Sequence, residues 1–97
     1  MARFNEIIHQ PVRLQIMASL VTLAGHEEMD FTSLRELLDV TDGNLGAHLR
    51  KLEDAGYITV KKEFVERKPR SFISATAEGR KIFQEHVAAL EAILKNE

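Results

Sequence analysis

The stretch TDGNLGAHLRKLEDAGYI, residues 41–58, decides the fold of this 97-residue chain. Thr41 predicts a helix start, because its hydroxyl accepts a hydrogen bond from a backbone N–H that the first turn leaves without a partner. Gly56 predicts the helix end, where a left-handed residue is favoured. One face of the helix over 42–55 carries leucines at helical spacing, namely Leu45, Leu49 and Leu52. The other face is small, polar or cationic, which suits the reading of base edges in the major groove of DNA.

The residues before this stretch predict two further helices. The first runs from residue 11 to about residue 23, with proline at a position that suits the first helical residue. A short extended piece follows at 29–31, and then a helix that Thr32 or Ser33 caps and that ends at residues 39–40. Two short helices joined by three or four residues form a helix-turn-helix.

The residues after Gly56 predict a β-hairpin and a last helix. Strands are expected over 58–64 and 71–75, where β-branched and aromatic residues are enriched. A charged loop should join the strands, with Pro69 keeping the end of that loop out of a regular ladder. Thr76 caps the final helix, which runs to about Lys95.

The order of these elements predicts an α+β, mainly helical fold, a winged helix-turn-helix with a three-helix core, a hairpin wing and a C-terminal helix. It forms one domain over 1–97. PVRLQIMASL (11–20) is similar to the first helix of ArsR- and MarR-type regulators, and LGAHLRKLEDAGYI (45–58) resembles their recognition helix. Residues 62–80 resemble the wing of the compact winged-helix DNA-binding transcriptional regulators of the MarR/ArsR-like group. The resemblance implies double-stranded DNA as the partner.

The formal net charge of −2 conceals a polarised chain. Residues 44–72 hold seven Lys or Arg and four Asp or Glu, a local net charge of +3, and the remainder carries −5. Because salt screens charges over roughly 8–10 Å, the local face governs DNA binding. The global charge argues against strong non-specific binding to nucleic acid.

The resemblance also implies which residues contact DNA. On the helix they are Thr41, Gly43, Asn44, Ala47, His48 and Lys51, and on the wing (61–72) they are Lys62, Arg67, Lys68 and Arg70. Asn44 has the donor and acceptor that pair with adenine, and His48 can donate to guanine N7 or to a phosphate. The alternative interpretation is that these are ordinary solvated faces. A second alternative is that the domain is a protein-interaction module whose basic hairpin contacts an acidic partner.

Surplus apolar residues at the two ends of the chain predict a homodimer. The last helix has an expected buried stripe of Phe83, Val87, Leu90 and Leu94, and the N-terminal segment adds Phe4, Ile7 and Ile8. A two-fold dimer through these seven residues would space two recognition helices one DNA turn apart. The alternative is that the terminal helices cover each other within one monomer.

Other function classes find no support in the sequence. The four histidines have no metal-binding spacing, and there is no phosphate-binding loop, no nucleophile motif and no pair of carboxylates with a plausible cleft. We therefore expect no metal, no cofactor and no enzymatic activity. A small-molecule effector would have to lie between the terminal helices and the core, and nothing indicates one. Without cysteines, a signal-peptide core or an apolar run of about 20 residues, we expect a cytoplasmic protein outside the membrane.

Overall fold

The computed structural model of the chain describes residues 5–23 and 27–95. In chain order these residues form α1 (Glu6–His9), α2 (Pro11–Val21), β1 (Met29–Asp30), α3 (Phe31–Leu38), α4 (Asp42–Asp54), β2 (Ile58–Val65), β3 (Lys68–Ala75) and α5 (Ala77–Lys95). The strands form an antiparallel sheet in the order β1-β3-β2. This architecture confirms the predicted winged helix-turn-helix.

Helix α2 lies at the centre of the core. Its residues Ile16, Met17 and Leu20 are fully buried, and the helix packs against α3, α4, α5 and β3. Helix α4 contributes three buried leucines to the core, and α1, α3, β2 and β3 contribute one apolar side chain each; these are Leu45, Leu49, Leu52, Ile8, Leu34, Ile58 and Ile73. Burial of these side chains, which removes apolar surface from water, is the main force that holds the helix-turn-helix to the sheet.

Helix α3 begins earlier than predicted, and neither Thr32 nor Ser33 caps it. The N-cap is Asp30, whose carboxylate accepts from the Ser33 backbone N–H at 3.3 Å and from the Ser33 hydroxyl at 2.6 Å. At the other end Asp39 adopts the left-handed conformation, with φ of 54°, that glycine often supplies. Val40 then packs against the core.

The hairpin is longer and tighter than predicted, and the expected loop over 65–70 is wrong. Strand β2 runs to Val65, β3 begins at Lys68, and only Glu66 and Arg67 form the turn, both with positive φ. In a two-residue hairpin the pair that flanks the turn is hydrogen-bonded and the next pair is not. Pro69 occupies that next pair, so its missing N–H costs no ladder hydrogen bond.

Helix α5 is capped as predicted but buries a different face. The Thr76 hydroxyl accepts from the Gly79 N–H at 2.9 Å. Gly79, His86 and Ala89 are buried, whereas the predicted buried stripe of Phe83, Val87, Leu90 and Leu94 is half-buried or exposed. The backbone of Tyr57 lies against Gly79, and this close approach fixes the rotation of the helix.

Within residues 5–23 and 27–95, no helix is long and apolar enough to cross a membrane.

Candidate nucleic-acid interface

Helix α4 presents a polar face that the core leaves uncovered. Its N-cap is Thr41, whose hydroxyl accepts from the Asn44 N–H at 3.1 Å, and its inner leucines are buried. Gly56 follows the helix with a φ of 81°, as its predicted role at the helix end requires. The predicted contacts Thr41, Gly43, Asn44, Ala47 and Lys51 are exposed, and His48 is half-buried.

An ion pair offsets the acidic residue at the start of this helix. Asp42 would repel a DNA phosphate, but its carboxylate lies 3.2 Å from Nε of Arg35 on α3. Both side chains are accessible to solvent, so the pair contributes little to stability. It matters for the site, because the guanidinium compensates a negative charge at the end of the helix that favours anions. Sequence reasoning missed Arg35, which lies seven residues before its partner.

His48 has a neighbour that the sequence did not suggest. Nη1 of Arg13, in the first turn of α2, lies 3.2 Å from Nδ1 of His48. Burial and the charge of Arg13 lower the pKa of His48, which favours the neutral ring. The two residues are 35 positions apart, and no local pattern connects them.

Four cations of the wing are exposed and lie outside the ion pairs of the described residues. Lys62, Arg67, Lys68 and Arg70 form no ion pair within the described part of the chain. Lys61 differs, because its ammonium lies 3.0 Å from Glu63 and 3.2 Å from Glu28. The hydrogen bonds to these carboxylates raise the pKa of Lys61.

The pleat of the hairpin separates the wing side chains onto two faces. Arg70 lies opposite Glu63 in the backbone register of the two strands. A hydrogen bond from the Ser33 side chain is the main cause that lowers the pKa of Asp30, and the charge of Arg70 lowers it further. Lys62 and Phe64 lie on the other face. Phe64 is 80% exposed opposite Pro69, and sequence reasoning, which treated it as an ordinary strand residue, did not identify it.

The terminal helices place the predicted dimer residues in different environments. Ile8 is fully buried in the core of the monomer, so its assignment to a dimer surface is wrong. Phe4 lies outside the described residues. Ile7, Phe83, Val87 and Leu90 are half-buried, and Leu94 is 72% exposed. Ile93 beside it is 60% exposed, so an apolar patch remains uncovered at the end of α5.

Two histidines meet between α1 and α5. The ring centroids of His9 and His86 are 5.5 Å apart, and burial together with the charge of His9 lowers the pKa of His86. No cluster of three histidine, cysteine or acidic residues that could hold a metal ion occurs within 5–23 and 27–95. His26 lies outside those ranges.

Known proteins are similar to this chain in sequence and in architecture. The sequence profile of the winged helix DNA-binding domain matches residues 12–94. An uncharacterized protein of Methanocaldococcus jannaschii is 35% identical over 91 residues, which cover 94% of this chain and 96% of the relative.

Solved structures of other proteins have a similar fold. A transcriptional regulator homologue from Pyrococcus horikoshii OT3 is similar with a TM-score of 0.86 and 30% identity, covering 95% of this chain and 88% of its own. HlyU from Vibrio cholerae, with 20% identity and a TM-score of 0.66, shares the fold over 95% of this chain and 87% of its own.

Proposed function

The chain belongs to the family of winged helix DNA-binding domains, and on that premise we propose that it is a transcriptional regulator that binds specific DNA sequences. Helix α4 enters the major groove, and the wing lies on the backbone or in the minor groove. The segments 11–20, 45–58 and 62–80 support a place in the compact MarR/ArsR-like group. The function is not enzymatic, and a regulator of bacterial or archaeal type acts on DNA in the cytoplasm.

The exposed face of α4 is the observation that carries this proposal. Its inner face is covered by the core, whereas Asn44, Ala47 and Lys51 remain exposed at helical spacing. The amide of Asn44 can pair with adenine, the small side chain of Ala47 permits a close approach to the bases, and Lys51 supplies a positive charge. The pairing of Asp42 with Arg35 reduces the repulsion that a phosphate would meet at the helix start.

The wing supplies a second, less specific contact. Arg67 and Lys68 lie at its tip, where they can reach phosphates or the minor groove. Lys62 and Arg70 lie further back, on opposite faces of the hairpin. Phe64 adds an exposed apolar surface that suits the sugar edges of the minor groove.

We propose that two copies of the chain form a homodimer through the apolar face of α5. Phe83, Val87, Leu90 and Leu94 lie on this face, and the core only partly covers them. Ile7, which is half-buried on α1, extends the proposed surface from the N-terminal side. A two-fold dimer would present two recognition helices to neighbouring major grooves on one side of the duplex.

The salt dependence of DNA binding tests this proposal. We expect Arg67→Ala combined with Lys68→Ala to reduce the slope of log affinity against log salt by about two, because each lost phosphate contact removes about 0.9. The matched control is Lys81→Ala combined with Lys95→Ala, which removes the same charge from exposed positions on α5. Fluorescence anisotropy with a labelled duplex measures both slopes.

Two outcomes would contradict the proposal. Equal changes in both double variants would show that only the net charge matters and that the wing does not contact DNA. Absence of duplex binding even at low salt would favour the protein-interaction module, with the basic hairpin on an acidic protein.

A further inference from the structure

Arg13 lies where three elements meet. Its backbone N–H donates to the side chain of Gln10 at 2.9 Å, which caps α2. Its Nε donates to the carbonyl oxygen of Ile7 in α1, and its Nη1 lies 3.2 Å from Nδ1 of His48 in α4. The guanidinium therefore binds the backbone of α1 through Nε and contacts His48 on α4 through Nη1.

The chemistry of the guanidinium determines the state of the imidazole. Arginine has five N–H donors, no acceptor and a permanent charge. A hydrogen bond between Nη1 and Nδ1 therefore requires that Nδ1 of His48 carry no proton and act as the acceptor. A neutral ring then has its single proton on Nε2, so its remaining nitrogen is a donor.

We infer that Arg13 is a positioning residue that keeps His48 in the Nε2–H form, so that this histidine donates to an acceptor atom of DNA. The inference rests on the proposed function. The acceptor is an acceptor atom on a base edge, such as guanine N7, or a phosphate oxygen, since each can accept a hydrogen bond from Nε2–H. The C edge of a base pair, which offers only the N4 amino donor in the major groove, cannot be recognised in this way.

Burial of His48 supports this assignment. A half-buried ring next to a permanent positive charge is disfavoured as an imidazolium, and the pKa of His48 lies below its usual value for these reasons. The lowered pKa favours the neutral ring, whose function as a donor depends on the position of one proton.

The state of the ring can be measured without DNA. Long-range ¹H–¹⁵N NMR of the histidine side chains distinguishes the two neutral tautomers and the imidazolium. We expect His48 in the full chain at pH 7.5 to be the Nε2–H tautomer, and Arg13→Met to convert it to a mixture. A wild-type His48 protonated on Nδ1, or a ring unaffected by Arg13→Met, would overturn the inference.

Arg80 offers a matched control for that variant. Its guanidinium donates to the carbonyls of Val21 and Leu23 at the opposite end of α2, so Arg80→Met also removes an arginine that binds backbone near a helix end. We expect it to leave the His48 tautomer unchanged. If Arg13→Met does not fold, the wild-type spectrum still decides the assignment.

A double-mutant cycle tests whether Arg13 acts through His48. The probe is a duplex that the wild-type protein itself selects from random sequence. We expect Arg13→Met and His48→Ala each to lower the affinity about tenfold, and the combination to lower it no further. If the double variant loses affinity by the product of the two single losses, Arg13 acts independently of His48, and this result would overturn the inference.

Replacement of guanine by 7-deazaguanine in the same duplex tests whether the acceptor is guanine N7. If Nε2 binds N7, this replacement lowers wild-type affinity about tenfold and has no effect on His48→Ala. If Nε2 binds a phosphate, the replacement has no effect on either protein, while the cycle still shows coupling. Failure to select any duplex would contradict the proposed function and would leave the NMR result as a separate test of the tautomer.

Discussion

Gly79, in the first turn of α5, lies against the backbone carbonyl of Tyr57, so close that a Cβ atom at residue 79 would be 2.0 Å from that oxygen. The same carbonyl accepts from the Thr76 N–H at 3.0 Å, and the Thr76 hydroxyl donates to the carbonyl of Gly56 at 2.7 Å. The start of α5 is thereby fixed to the chain that leaves the recognition helix. The helix proposed to form the dimer and the helix proposed to bind DNA share one rigid junction.

This junction predicts that Gly79→Ala destabilises the domain. The added methyl group would meet backbone atoms that cannot rotate away, so α5 must shift. We expect the free energy of unfolding to fall by about 1–3 kcal/mol, the usual cost of overpacking. Chemical denaturation followed by circular dichroism measures the change.

Gly46→Ala is the control for this variant. Apart from the adjacent residues and the backbone of α4 itself, no atom lies within 4 Å of the position where the Cβ of residue 46 would stand. Because alanine favours helices more than glycine does, we expect a gain of up to about 1 kcal/mol. Equal stabilities of Gly79→Ala and wild type would contradict the close approach.

The exposed amide on α4 predicts a loss of base specificity without a loss of stability. Asn44→Ala removes a side chain that faces solvent, while the backbone N–H of residue 44 keeps its bond to Thr41. We expect discrimination at one adenine of the selected site to fall by about 1–3 kcal/mol. Competition anisotropy with single-base variants of that site measures it.

Gln84→Ala serves as the comparison, since Gln84 is also an exposed amide on a helix, but on α5. It should bind every duplex as the wild type does. An Asn44→Ala variant with unchanged discrimination at every position would exclude Asn44 from base contact.

The buried histidine predicts that stability declines in mild acid. Burial and the charge of His9 lower the pKa of His86, so the unfolded chain takes up a proton at a higher pH than the folded chain. The contribution of neutral His86 to the free energy of unfolding is fully present above about pH 6.5, and it is lost as the pH falls through the pKa of His86 in the folded chain. Urea denaturation at a series of pH values from 7.5 to 5 should show this decline.

His86→Gln should make the decline shallower, because the substituted side chain does not titrate. The pKa of His48 is lowered as well, so part of the pH dependence remains in that variant. A pH dependence identical in wild type and His86→Gln would show that His86 does not contribute.

The uncovered end of α5 predicts that Leu94→Glu produces a monomer. The side chain is 72% exposed, so the charge should not disturb the fold but should prevent an apolar dimer interface from forming. Leu37→Glu is the matched control, because Leu37 is a 61% exposed leucine on α3. Sedimentation velocity should give twice the chain mass for wild type and Leu37→Glu. A wild-type monomer at micromolar concentration would refute the dimer.

Local chemistry made most of the fold predictable from the sequence. Thr41, Gly56 and the leucines between them mark the recognition helix by capping and periodicity, and the structure confirms both ends. The hairpin turn was misplaced because Glu66 and Arg67 adopt positive φ without glycine. Nothing in their residue types indicates that conformation.

The parts of the site that depend on tertiary contacts could not be predicted. Arg13 and His48 meet across 35 residues, and the buried face of α5 depends on the approach of Gly79 to Tyr57. Helical periodicity identified several apolar residues on α5 but did not determine which of them face the core. Ile8 resembles the surplus apolar residues around it in sequence, but it is fully buried in the core.

Selection of bound duplexes from a random-sequence pool by the wild-type chain tests the central proposal most directly. The account predicts enrichment of a two-fold symmetric sequence whose half-sites are centred about 10 base pairs apart, since a dimer presents α4 twice on one face of the duplex. It also predicts that Asn44→Ala changes the enriched bases within each half-site. A pool that remains random after selection would contradict the proposal that this protein binds specific DNA sequences.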